Sequence, residues 1–66
     1  MPVYNDIKKM RMAKGITQDE LATAAGVSRQ TIVAIEKGNY TPSLLLAMDL
    51  AHIFKVPVER LFSIKK

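Results

Sequence analysis

Apolar residues recur along the chain at the spacing of amphipathic helices, and glycine or proline interrupts this pattern at regular intervals. The segments between the interruptions have the length of short helices. They predict five helices, at about 5–14, 17–25, 28–37, 44–54 and 57–62. The expected architecture is therefore an all-α fold in a single domain that spans residues 1–66.

Polar side chains that can cap a helix stand at the start of the first four segments: Asn5 or Asp6, Thr17, Ser28 and Ser43. Thr17 and Glu20 also have the spacing of a capping box, which supports the predicted start of the second helix. Pro57 fits the first position of the fifth helix, because the amide proton that proline lacks would have no partner there. At the chain ends, Pro-Val-Tyr and Leu-Phe-Ser-Ile-Lys-Lys alternate with a period of two and could pair as a small sheet.

The small size of the domain limits how it can be stabilised. A chain of 66 residues buries only about 60% of its unfolded surface on folding, so such domains often need support. Cysteine is absent and His52 is the single histidine, so we expect no disulfide, metal centre or cofactor. Self-association is the remaining means of support. Without a signal peptide or an apolar run near the roughly 20 residues of a membrane span, we expect a cytoplasmic protein and no membrane partner.

The chain is basic, with ten lysine and arginine residues against six acids and a net charge of +4. A basic balance favours nucleic acid or an anionic membrane as the partner. The same charge can also serve only to keep a domain dispersed in solution. The distribution of the charges along the helices has to decide between these interpretations.

The third helix concentrates the side chains that suit contact with DNA. On a helical wheel Ile32 and Ile35 face the core, and the rest of the surface carries basic, polar and small residues: Arg29, Gln30, Val33, Ala34 and Lys37. Arginine can donate two hydrogen bonds to guanine, glutamine can pair with adenine, and alanine can contact a thymine methyl group. Val33 could either contact such a methyl group or border the core. Only about three residues around Gly26 separate this helix from the second, so the two must cross steeply, as in a helix-turn-helix unit.

Four short motifs occur together in this region: Gly-Ile-Thr-Gln at 15–18, Glu-Leu-Ala at 20–22, Gly-Val-Ser at 26–28, and Ile-x-x-Ile-Glu at 32–36. Their combination resembles the helix-turn-helix of the phage repressor and Cro family, the Xre type, and the resemblance extends over about 7–62. It implies a lambda-repressor-like domain. The chain is similar in particular to the short, stand-alone dimeric repressors of this family.

The resemblance also implies roles for individual side chains. It places base contacts at Arg29, Gln30 and Ala34, with Ser28 at a base edge or a phosphate. Ala34 stands where other members often carry a longer side chain, so less hydrogen-bond readout is expected there. Contacts to the sugar-phosphate backbone fall at Thr17, Gln18, Lys37, Asn39 and Tyr40. Other interpretations remain open for several of them. Arg29 and Gln30 could be ordinary exposed residues, Thr17 could only cap its helix, and Lys37 could only stabilise the negative end of its helix.

The resemblance further implies an internal ion pair between Arg11 and Glu36, which would connect the first helix to the end of the third. The alternative is two separate solvated charges. The distinction affects stability, because breaking a buried pair from one side costs about 3–5 kcal/mol.

The last two helices have more apolar surface than one buried stripe requires, which is typical of an interface. The related dimers associate near their C-terminal ends, so we expect a homodimer interface that includes Leu44, Val58, Leu61 and Phe62. A twofold dimer would place its two recognition helices about 34 Å apart, on successive major grooves. Its operator would then be an inverted repeat.

Together with the resemblance, these patterns predict a sequence-specific regulator of transcription that binds double-stranded DNA as a homodimer and is associated with the nucleoid. The resemblance implies that this regulator is a repressor. The alternative is a protein-interaction module, such as an antitoxin or a factor that bridges a regulator and the polymerase. An enzyme is not expected, because the chain lacks an acid pair in an evident pocket, a nucleophile–base set and a glycine-rich phosphate loop.

Overall fold

In a computed structural model, which describes residues 3–64, the chain folds into five helices joined by short connections and flanked by two strands. In chain order the elements are β1 (Val3–Asn5), α1 (Ile7–Lys14), α2 (Gln18–Ala25), α3 (Arg29–Glu36), α4 (Leu44–Phe54), α5 (Val58–Leu61) and β2 (Phe62–Ile64). This arrangement confirms the predicted five-helix fold with a small terminal sheet.

The outer boundaries differ slightly from the sequence-based expectation because the terminal residues form strands. α1 begins at Ile7 with Asp6, one of the two expected residues, as its N-cap, although the Asp6 side chain accepts no cap hydrogen bond. Asn5 is the last residue of β1. At the other end α5 stops at Leu61, since Phe62 continues in extended conformation as β2. Pro57 was expected to be the first helical residue of α5. It lies one position earlier, as the N-cap.

β1 and β2 pair as an antiparallel two-stranded sheet, with Val3 opposite Ile64 and Asn5 opposite Phe62. The predicted strand segments also included Pro2, Lys65 and Lys66, which lie outside the described residues. Asn5 connects this sheet to two helices. Its Oδ1 accepts a hydrogen bond from the Ile7 amide at 3.1 Å, and its Nδ2 donates to the Ile35 carbonyl oxygen at 2.9 Å. The sheet therefore positions both the start of α1 and the end of α3.

The turn between α2 and α3 is short and well defined. Gly26 ends α2 in the left-handed region, with φ 71°, which favours glycine because it has no Cβ. The next amide, that of Val27, donates to the Ala22 carbonyl oxygen at 3.0 Å. Ser28 then caps α3, where its Oγ accepts from the Thr31 amide at 3.2 Å. These bonds fix the direction in which α3 leaves α2.

Each helix contributes at least one fully buried side chain to a single core: Ile7, Leu21, Ile32, Ile35, Leu50 and Leu61. Packing of this kind holds α2 and α3 at a fixed angle. The structure corrects the prediction for Leu61, which was expected at a dimer interface. Its side chain is only 1% exposed and has no surface left for a partner, because the turn from α5 into β2 directs it inward.

Candidate nucleic-acid interface

The exposed face of α3 begins at its N-terminus. Ser28, Arg29 and Gln30 are all exposed, whereas Ile32 and Ile35 are buried in the core. Ala34 is half-buried, and so is Val33, which leaves both interpretations of the valine open. The Ser28 hydroxyl is 3.0 Å from Thr31 Oγ1 in addition to its cap bond. The N-terminus of α3 therefore carries one arginine and one glutamine whose side chains lie outside the core.

Arg29 has a neighbour that sequence reasoning missed. Its Nε lies 3.8 Å from Asp19 Oδ1 in α2, and the two side chains are 63% and 77% exposed. An ion pair of this length at an exposed position contributes at most about 1 kcal/mol. Arg29 can therefore leave Asp19 for another acceptor at little cost. The contact also shows that the start of α2 lies beside the start of α3.

Thr17 and Gln18 begin α2. Thr17 forms the expected capping box: its Oγ1 accepts from the Glu20 amide at 3.0 Å, and its own amide donates to Glu20 Oε1 at 2.8 Å. The first amides of α2, including those of Gln18 and Asp19, belong to the turn whose N–H groups have no acceptor within the helix. Such a helix start can bind an anionic oxygen.

The nearly buried carboxylate of Glu36 connects α1, α2 and α3 next to the start of α2. Arg11 Nε donates to Glu36 Oε2 at 2.7 Å, and Arg11 Nη2 donates to Glu36 Oε1 at 3.3 Å. The side chains are 12% and 4% exposed, so the structure brings together the two residues expected to form an internal ion pair. The hydrogen bond to Glu36 raises the pKa of the Arg11 guanidinium above its usual value, which keeps it charged.

Gln18 joins this pair, which the sequence did not indicate. Its Nε2 donates to Glu36 Oε1 at 3.1 Å, which connects α2 to the end of α3. Arg11 also donates through Nη1 to the Ile16 carbonyl oxygen at 2.9 Å, just before α2. These hydrogen bonds hold the start of α2 against α1 and against the end of α3.

The remaining candidates follow α3 in a compact loop. Lys37, Asn39 and Tyr40 are all exposed. Gly38 has φ 78°, and the Asn39 amide donates to the Ala34 carbonyl oxygen at 2.9 Å, which closes the C-terminus of the helix. Tyr40, 45% exposed, lines a groove beside the turn between α2 and α3. The loop therefore lies on the side of the molecule that carries this turn.

A second surface lies at the start of α4, where Leu44 and Leu45 are 73% and 71% exposed. Leu44 borders a mainly apolar groove of about 290 Å³, and two other expected interface residues, Val58 and Phe62, line it together with Val3 and Pro42. Val58 and Phe62 are half-buried. Three of the four predicted interface residues therefore meet at one groove, and Leu61 does not.

Residues 3–64 also bear on two other kinds of site. No cluster of metal-ligating side chains occurs in this part of the chain. No helix within it is long and apolar enough to cross a membrane.

Comparison with known proteins agrees with this geometry. A family model described as helix-turn-helix matches residues 7–61. An uncharacterized HTH-type transcriptional regulator of Methanocaldococcus jannaschii is 52% identical over 58 residues, which are 88% of each chain. The transcriptional repressor RstR of the cryptic phage CTXphi, from Vibrio cholerae, is 35% identical over 86% of this chain and 51% of its own length. The restriction-modification controller protein C.AhdI of Aeromonas hydrophila has a similar solved structure, with TM-score 0.76, 28% identity and 82% coverage of both chains.

Proposed function

The chain belongs to the Cro/C1-type helix-turn-helix family of DNA-binding transcriptional regulators, and we propose that it represses transcription by binding an inverted-repeat operator as a homodimer. The family consists of regulators and is not a class of enzymes. The observation that carries the proposal is the exposed start of α3, held at a fixed angle by the turn at Gly26 and by the core. Such a protein would act at the nucleoid, in the cytoplasm.

In the proposed complex α3 enters the major groove with its N-terminus first. Arg29 donates two hydrogen bonds to a guanine, Gln30 pairs with an adenine, and Ser28 contacts a neighbouring base edge. Ala34 is half-buried on the same helix, and its short side chain lets the helix approach the bases closely. The weakness of the Arg29–Asp19 contact supports this role, since DNA can displace the carboxylate easily.

Phosphate contacts would orient α3 in the groove. The start of α2, with Thr17 and Gln18, offers backbone and side-chain donors to one phosphate. Lys37, Asn39 and Tyr40 are exposed after α3 and would meet the backbone of the same half-site. The start of α2 and the loop after α3 each lie beside one end of α3. Phosphate contacts at these two places would orient α3 in the groove.

The groove lined by Leu44, Val58 and Phe62 is the proposed dimer interface. Leu44 is 73% exposed and lines this groove, and an exposed apolar residue beside an apolar groove is typical of an interaction surface. A protein-interaction module would use the same surface for another protein. Purification of the chain with a stoichiometric partner seated there would favour that second candidate.

Repression is proposed because RstR, a relative over 86% of this chain, is a repressor. Its mechanism would be occlusion, in which a dimer on the operator excludes the polymerase from the promoter. A promoter fused to a reporter gene should lose expression when the protein is produced, and increased expression would indicate an activator.

Selection from random duplex DNA tests the proposed function. We expect enrichment of an inverted repeat whose half-sites lie about one helical turn apart, and affinity that falls steeply between about 50 and 200 mM salt. The salt dependence arises because Lys and Arg displace condensed counterions when they neutralise phosphates. Absence of enrichment at low salt, or affinity independent of salt, would contradict DNA binding.

Arg29→Ala should reduce discrimination at one base position by about 1–3 kcal/mol, because a bidentate contact to guanine is lost. Gln18→Met is the matched control. It removes a phosphate contact and should weaken binding to all sequences alike. Binding measured against the selected operator and its single-base variants separates the two effects. Unchanged preference in Arg29→Ala would mean that α3 docks in another orientation.

A further inference from the structure

We propose that Glu36 is a positioning residue for phosphate binding, because its carboxylate fixes which end of the Gln18 amide faces the DNA. The inference rests on the proposed function, in which Gln18 donates to a backbone phosphate. It assigns Glu36 a role beyond the ion pair with Arg11, at a carboxylate that does not itself face the solvent.

The argument begins with the two ends of the glutamine amide. One end is an NH₂ group that donates, and the other is an oxygen that only accepts. A phosphate accepts hydrogen bonds, so it is attracted by the NH₂ end and repelled by the oxygen. A glutamine that could turn its amide freely would present the wrong end for part of the time. Productive binding would then carry the cost of selecting one orientation.

Glu36 removes this choice. An ionised carboxylate can only accept, so it binds the NH₂ end of Gln18 and excludes the amide oxygen. The observed bond, from Gln18 Nε2 to Glu36 Oε1 at 3.1 Å, has this sense. The second proton of Nε2 is then directed away from the carboxylate. The bond to Glu36 does not use it, so it can still donate to a phosphate bound at the start of α2.

The carboxylate is itself held in place. Two hydrogen bonds from Arg11 fix both of its oxygens, and Arg11 is anchored in turn to the Ile16 carbonyl oxygen. Glu36 is also the last residue of α3. The direction of the Gln18 amide is therefore set by α3, the helix proposed to contact the bases. The phosphate contact of Gln18 and the base contacts of α3 thus keep a fixed relative position.

A double-mutant cycle on DNA affinity tests the inference. Gln18→Met, which is close in shape and lacks the amide, is made in the wild-type chain and in Arg11→Met/Glu36→Leu. The second background replaces the ion pair by apolar side chains, a change that folded domains often tolerate. The probe is the operator duplex obtained by selection. Thermal melting followed by circular dichroism establishes that every variant is folded at the temperature used.

Gln18→Met should lower the affinity of the otherwise wild-type protein about tenfold or more, the factor for losing a hydrogen bond to a charged group. Without the carboxylate the same change should cost only about twofold, because the unpositioned amide contributes little. An equal factor in both backgrounds would overturn the inference, since a purely structural role of Glu36 lowers both affinities together. If Gln18→Met left the DNA affinity of the otherwise wild-type protein unchanged, the inference would also be overturned. The proposed DNA binding would still stand, because the wild type would bind the operator.

NMR of the free protein gives a second readout that involves no DNA. In the wild type we expect one Gln18 side-chain amide proton to exchange with solvent several times more slowly than the other, because Glu36 holds it. This asymmetry should disappear in Arg11→Met/Glu36→Leu. Equal exchange of the two protons in the wild type would contradict the proposed orientation. Wild-type protein that binds no duplex at all would instead overturn the proposed function and the inference with it.

Discussion

Replacement of Glu36 by alanine is expected to lower the free energy of unfolding by about 3–5 kcal/mol. The change leaves the Arg11 guanidinium, only 12% exposed, without the carboxylate that neutralises it, and it removes the acceptor of Gln18. A guanidinium keeps its proton in proteins even without a partner, so Arg11 cannot avoid this penalty by becoming neutral. A domain of 66 residues has a total stability of about 3–10 kcal/mol, so this single change removes much of it.

Chemical and thermal unfolding followed by circular dichroism measure this effect. The melting temperature should fall by at least about 12 °C, because each kcal/mol shifts the midpoint of a domain this small by about 4–8 °C. The control is Arg11→Met/Glu36→Leu, which removes both charges and should melt near the wild type. If Glu36→Ala melted with the wild type, the ion pair would be unimportant for stability.

The helices could be predicted because local sequence encodes them. Capping residues such as Thr17 and Ser28 form bonds within three positions of themselves, so their roles are visible in the sequence. The core positions of α3 follow from helical periodicity. Gly26 ends α2 because of a backbone conformation that glycine favours, and a short break between two capped helices indicates this position without any tertiary information.

The contacts that cross between elements could not be predicted in the same way. Gln18 and Glu36 are 18 positions apart, and no periodicity relates them. The same holds for Asn5, whose bond to the Ile35 carbonyl oxygen depends on how β1 crosses the end of α3. Leu61 was misplaced for a related reason. Its apolar character fits an interface and a core equally well, and only the turn from α5 into β2 directs it inward.

Leu44→Glu is expected to convert the proposed dimer into a folded monomer and to lower operator affinity about a hundredfold or more. Leu44 is 73% exposed and is the first residue of α4, where an acidic side chain is compatible with the helix dipole. The monomer should therefore keep its stability. In a twofold dimer the same change introduces two buried charges of like sign at the interface. Loss of dimerisation removes the gain from binding two linked half-sites.

Met12→Glu is the matched control, because Met12 is similarly exposed, at 62%, but lies on α1 outside the apolar groove. It should leave both the dimer and the operator affinity unchanged. Analytical ultracentrifugation and titration of the operator duplex measure the two quantities on each variant. A Leu44→Glu protein that remained dimeric would place the interface elsewhere on the molecule. A monomeric variant with wild-type affinity would mean that one protomer suffices for binding. The wild-type protein would then gain no avidity from a second half-site.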